Sequence, residues 1–95
     1  MPSSITPKLR FYYTYVLESL KDKENYVGFA TDLKKRIEAH KNGLVSSTKF
    51  RRPIRLIYFE ACLNKEDALR RERFLKSSDG RFYIKKRLRE YYKFL

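Results

Sequence analysis

The run Tyr26-Val27-Gly28-Phe29-Ala30-Thr31-Asp32-Leu33-Lys34-Lys35-Arg36-Ile37-Glu38-Ala39-His40 gathers residue types suited to holding an anion. A glycine in a strand just before a helix lets a ligand approach the backbone, and the free amides at the helix start favour negative charge. Arg36 and His40 lie four apart, so one helix face carries both, and Tyr26 and Gly28 would point toward the same region. A second polar residue stands out further along the chain. On a helical wheel Glu72 falls between Ala68 and Leu75, in the middle of an apolar side, where a carboxylate needs a partner.

Positioning these groups takes a strand that turns directly into a helix. Tyr26, Val27 and Phe29 are strand formers, and Thr31 or Asp32 can cap a helix that begins there. Leu33, Ile37, His40 and Leu44 recur at helical spacing and place the histidine within an apolar face. Lys41-Asn42-Gly43 supplies a cation and a residue tolerant of positive φ as a helix stop. Before this unit, Phe11-Tyr12-Tyr13-Thr14-Tyr15-Val16-Leu17 is apolar on both alternating faces, as suits a strand covered on both sides. The polar stretch from Ser19 to Glu24 fits a hairpin loop, and registers pairing odd with even positions put Tyr13 and Tyr15 beside Tyr26 and Gly28.

The remaining elements follow in order. Ser46 to Arg52 is a polar, basic connection, and Pro53 opens a third strand, Ile54 to Ala61. Asn64-Lys65-Glu66-Asp67 resembles a capping box, with Asp in place of Glu or Gln, for a second helix. Ser77-Ser78-Asp79-Gly80 breaks that helix, and Ile84, Leu88, Tyr91 and Leu95 mark a third. The expected fold class is therefore α+β, a small three-stranded antiparallel sheet flanked by helices in the order β-β-α-β-α-α. Residues 1–9 read as a flexible leader and residues 10–95 as a single domain.

Composition narrows the partner. The chain of 95 residues carries 23 Lys and Arg against 11 Asp and Glu, a formal charge of +12, with the cations spread along its length. A polyanion is the natural partner. Eight tyrosines and seven phenylalanines argue against a disordered basic arm, which lacks apolar surface to offset chain entropy. The one cysteine, Cys62, allows neither an internal disulfide nor a multi-thiolate metal site and is expected in a reducing, cytoplasmic setting. No apolar run approaches the roughly 20 residues that span a bilayer, and no signal segment opens the chain.

Tyr13-Thr14-Tyr15 and Tyr26-Val27-Gly28 resemble the two half-motifs of the GIY-YIG nucleases, and Arg36 follows Tyr26 by ten residues, where that family keeps an arginine. Thr31-Asp32-Leu33-Lys34-Lys35-Arg36 and Ala68-Leu69-Arg70-Arg71-Glu72 resemble the family's helix motifs. The likeness runs from Phe11 to Leu88, is greatest to the small stand-alone branch, and extends to the nuclease module of the bacterial excision-repair endonuclease. Tyr13 and Thr14 stand in place of the usual Gly and Ile, Phe29 replaces the repair branch's lysine, and no asparagine follows Asn64. The resemblance implies a metal-dependent endonuclease that hydrolyses DNA phosphodiester bonds in repair or processing. It implies Glu72 as the one protein ligand of a hydrated Mg²⁺ or Mn²⁺, with no small-molecule cofactor. Arg36 would clamp the phosphate, Tyr26 with Tyr15 would serve as general base, and His40 would support them or carry the proton itself. Gly28, Lys34, Lys35, Arg51 and Arg52 would contact the nucleic acid.

By residue type alone other readings stand beside these. Tyr15 and Tyr26 also fit strand packing, Arg36 a snorkelling surface cation, His40 a satisfied core histidine, and Glu72 an arginine's ion-pair partner. The run from Lys85 to Arg89 fits a solvated helix face that attracts DNA nonspecifically. At the level of function, the alternatives are a catalytically weak nucleic-acid-binding module of the same fold and a ribosomal-type RNA binder. Charge leads to one expectation for all of them, since each phosphate contact contributes about −0.9 to the slope of log K against log salt on duplex DNA. Titrating DNA binding across salt concentrations is expected to give a steep negative slope, and one shallower than about −2 would show that the charge serves another purpose.

Overall fold

The computed structural model describes residues 9–94. The strands β1 (Tyr12–Ser19), β2 (Asn25–Ala30) and β3 (Ile54–Cys62) form one antiparallel sheet in the order β2-β1-β3. The expected α+β class and element order are both present. Of the leader expected at residues 1–9, residues 1–8 lie outside the described residues.

The central place of β1 explains its apolar composition on both faces. Tyr15 and Leu17 join Ala30, Ile54 and Ile37 of the helix α1 (Leu33–Lys41) in one cluster, with Tyr26, Leu33 and Leu56 packed against it. Val16 faces the other way, toward Leu75 of α2 (Lys65–Lys76) and Ile84 of α3 (Ser78–Arg87). One helix thus covers one side of the sheet and two cover the other. The β1–β3 ladder slips by one residue between Val16 and Leu17, so Tyr58 opposes Val16 while Leu56 opposes Leu17. That bulge sends Ile57 and Tyr58 to one cluster and Leu56 to the other.

Polar anchors fix the helices on this sheet. The buried Thr14 hydroxyl donates to the Ala68 carbonyl at 2.8 Å and ties α2 to β1. Arg71 donates from Nε to both oxygens of Glu60 at 2.9 Å, with its guanidinium over the rings of Phe74 and Tyr83. The bond to Glu60 raises the Arg71 pKa, while burial and the bonds to Tyr83 and Glu60 raise that of Tyr58. A short final helix, α4 (Arg89–Lys93), returns to the hairpin, where Tyr91 donates to the buried Glu18 at 2.6 Å.

Local details depart from the sequence pattern in three places. Leu44 is 76% exposed rather than part of the α1 face, because the chain leaves the helix at Asn42 and turns through Gly43 at φ +76. Asn64 does cap α2, accepting from Glu66 N at 2.8 Å and Asp67 N at 3.2 Å, but the reciprocal half of the box is missing. The Asp67 carboxylate, one methylene shorter than Glu, binds Arg70 instead. The single third helix is two, α3 and α4, joined at Leu88, and the break before them narrows to Ser77, which ends α2 and caps Gly80 N. Gly80 is needed there because a side chain would run into the backbone of Phe74 and Leu75.

His40 belongs to the α1 side of this core and is 4% exposed. Burial first, then the charge of Arg36, lowers its pKa from the ordinary 6.5. The unfolded chain consequently binds the imidazole proton at a pH where the folded chain does not, and stability rises with pH across that window. Denaturation is expected to show lower stability at pH 5.5 than at pH 7.5, above the carboxylate range, and His40→Gln is expected to flatten that difference. An equal pH dependence in the two proteins would show that His40 does not titrate with folding.

Candidate active site

The β1–β2 register sets Tyr15 opposite Gly28 and Tyr26 opposite Leu17, so both tyrosines stand on the α1 face. Gly28 was expected to admit a ligand to the backbone. Tyr15 itself uses that approach: a Cβ on Gly28 would collide with the Tyr15 ring and hydroxyl. The ring can therefore lie against the edge strand with its oxygen over Gly28.

Helix α1 brings its polar residues to that oxygen. Asp32 caps the helix by accepting from Lys35 N at 3.1 Å, and Arg36 and His40 follow one turn apart. Arg36 donates from Nε to Tyr15 Oη at 3.4 Å, and His40 Nε2 lies 2.8 Å from the same atom. The other imidazole nitrogen, Nδ1, is 2.7 Å from Thr48 Oγ1. With its pKa lowered, His40 is a neutral imidazole at pH 7 and can both give and accept a hydrogen bond.

A cavity of about 970 Å³ lies along β2, the edge strand. From the α1 side it is lined by Tyr15, Tyr26, Gly28, Arg36 and His40, and from the α2–α3 side by Glu72, Lys76, Arg81 and Lys85. Residues on opposite faces of the sheet meet there because only the edge is open to both. The Tyr26 hydroxyl makes no hydrogen bond to another described residue, whereas that of Tyr15 is held between Arg36 and His40. The Glu72 side chain is 19% exposed and pairs with Lys76 one turn on, at 3.3 Å.

Four expected nucleic-acid contacts are not brought to this cavity. Lys34 and Lys35 project from the first turn of α1 and border separate shallow depressions. Arg51 pairs with Asp22 and lies over the Tyr26 ring at 5.8 Å from its centre, and the Asp22 carboxyl is held low mainly by its bond from Glu24 N. Arg52 donates to the carbonyls of Lys49 and Lys41, which makes it a clamp on the loop after α1. Conversely, the sequence reading missed Thr48, Lys76 and Arg81 and left Lys85 on a solvated face. The i,i+4 spacings of Glu72 with Lys76 and of Arg81 with Lys85 carried a signal for the cations. Thr48, in an irregular loop, carried none.

Among the described residues no three His, Cys, Asp or Glu side chains group closely enough to cage a metal. Asp22, Glu24 and Glu72 border the cavity, and a single carboxylate there suffices for an ion that keeps most of its waters. Asp22 is engaged by Arg51, whereas Glu72, whose ion-pair partner among the described residues is the exposed Lys76, fits such an ion.

The family model for the GIY-YIG catalytic domain matches residues 11–86. The chain is 43% identical over 65 residues to a UPF0213 protein of Clostridium perfringens, a match covering 67% of this chain and 69% of that one. It is 42% identical over 67 residues to a UPF0213 protein of Staphylococcus saprophyticus, covering 70% and 80% of the two chains. The solution structure of a UPF0213 protein from Bacillus halodurans superposes with a TM-score of 0.50 at 35% identity, over 78% of this chain and 81% of that one. The strand pair, the helix that follows it and the sequence matches lead to one assignment: the chain belongs to the GIY-YIG catalytic domain family, a family of nucleases.

Proposed function

We propose that this protein is a divalent-metal-dependent endonuclease that hydrolyses phosphodiester bonds in DNA. The observation that carries the reading is the edge-strand cavity, whose lining includes Tyr26, Arg36, the hydrogen-bonded Tyr15–His40 pair and Glu72. Phosphodiester cleavage needs a cation on the non-bridging oxygens, a group to take a proton from water, and relief of charge at the phosphate. Arg36 supplies the first through the guanidinium nitrogens not engaged by Tyr15. In this reading Tyr26 is the general base: it lines the cavity, and its hydroxyl has no hydrogen-bond partner among the described residues. Tyr15 is held by Arg36 and His40 and stands ready to exchange a proton with the cavity.

Glu72 would hold Mg²⁺ or Mn²⁺, which when bound neutralises phosphate charge and acidifies a coordinated water. On the opposite wall, Lys76, Arg81 and Lys85 offer a cationic track for the strand, with Lys34 and Lys35 adding attraction from outside the cavity. That no described helix is long and apolar enough to cross a membrane agrees with a nucleic-acid partner reached from water.

Nicking of supercoiled plasmid with and without Mg²⁺ tests the reading. Wild-type protein is expected to nick only with metal, and binding without nicking would leave a nucleic-acid-binding module of the same fold. Tyr26→Phe removes one hydroxyl from a strand that tolerates phenylalanine, so nicking is expected to fall by about 10²–10⁴-fold with folding and DNA affinity intact. A near wild-type rate would make Tyr26 a packing residue. Glu72→Gln is expected to abolish metal-dependent nicking while shifting metal-free stability by only about 0–1 kcal/mol, since the Lys76 pair is solvated on its lysine side. Unfolding of Glu72→Gln, or normal nicking by it, would reassign Glu72 as a structural ion-pair partner.

A further inference from the structure

Thr48 lies in the loop between α1 and β3, 0% exposed, and His40 Nδ1 is the partner of its hydroxyl among the described residues. A neutral imidazole carries one N–H, so the chain Thr48–His40–Tyr15 can be wired in two ways. In the first, Nδ1–H donates to Thr48 and Tyr15 donates to Nε2. The Thr48 hydrogen, sealed from water, then has no acceptor among the described residues. In the second, Thr48 donates to Nδ1 and Nε2–H donates to Tyr15 Oη, so both buried donors are used. The Tyr15 hydrogen is left over, and it has the cavity to point into. A buried donor without an acceptor carries its full desolvation penalty, which favours the second wiring.

We propose that Thr48 is a positioning residue whose hydroxyl donates to His40 Nδ1, fixes the imidazole as the Nε2–H tautomer, and thereby turns the Tyr15 proton toward the cavity. Tyr15 Oη then receives two donors, His40 Nε2–H and Arg36 Nε–H, and its own hydrogen is free to be donated to a group bound in the cavity. Thr48 touches no reacting atom. Its effect passes through the histidine, as an outer partner fixes the tautomer of a functional imidazole. The consequence for cleavage rests on the nuclease reading above, whereas the tautomer itself does not.

The chain has a single histidine, so imidazole ¹⁵N shifts report on His40 alone. At pH 7.5 in metal-free protein the expected pattern is a protonated Nε2 and an acceptor Nδ1, retained in Thr48→Ser. A protonated Nδ1 would overturn the proposal. In plasmid nicking, Thr48→Val is expected to lower kcat about tenfold with DNA affinity unchanged, and Thr48→Ser to restore it. A folded Thr48→Val with wild-type kcat would overturn the positioning role. If the wild-type protein does not nick, the nuclease reading fails, and the tautomer measurement still decides how the three residues are wired.

Discussion

The seat of the Tyr15 ring on Gly28 is the contact on which the candidate site depends. It needs a backbone without a side chain on the edge strand, directly opposite a tyrosine on the central one. A methyl group at position 28 would displace the ring, and with it the oxygen on which Arg36 and His40 converge. The glycine therefore acts through a neighbouring side chain, and its conservative replacement by alanine is not conservative in effect. The same contact explains why a residue that is 2% exposed still borders the cavity: the ring is enclosed by the sheet and α1, and only its rim reaches the opening.

The sheet order gives this contact its reach. With β1 in the centre, β2 has one free edge, and residues from both faces can approach it. Tyr15, Arg36 and His40 arrive from the α1 side, Glu72 and three cations from the α2–α3 side. Among the described residues no ion pair joins Glu72 to Arg36. Glu72 is instead balanced by Lys76, whose flexible stem holds the ion pair weakly in a solvated setting.

The excess of positive charge is divided by burial and partnership. Arg71 serves structure: it is fixed by Glu60 and packs over two aromatic rings. Arg51 and Arg52 hold the loop before β3, through Asp22 and through backbone carbonyls. What remains for a polyanion is the exposed set on α1, α2 and α3, where lysine and arginine heads stay in water. Net charge alone could not make this division, because an arginine that clamps a loop and one that meets a phosphate count equally in the sum.

Periodicity with turn and cap residues determined most of the elements. The double-faced apolar run of β1, the odd-to-even hairpin pairing, the α1 stop at Gly43 and the break at Ser77 follow from local sterics and burial, which short sequence windows contain. The motif spacing likewise nominated Tyr15, Tyr26, Arg36, His40 and Glu72, and these line one cavity. Tertiary structure decided the rest, because long-range packing is not encoded in spacing. It placed the Tyr15 ring where Gly28 was read as a ligand's approach, and exposed Leu44 once the helix had ended. It gave Arg51 and Arg52 partners in the loop before β3, and set the buried hydroxyl of Thr48 against His40, eight positions earlier in the chain. A loop threonine has no periodic signature, and its role exists only once the fold closes water out around it.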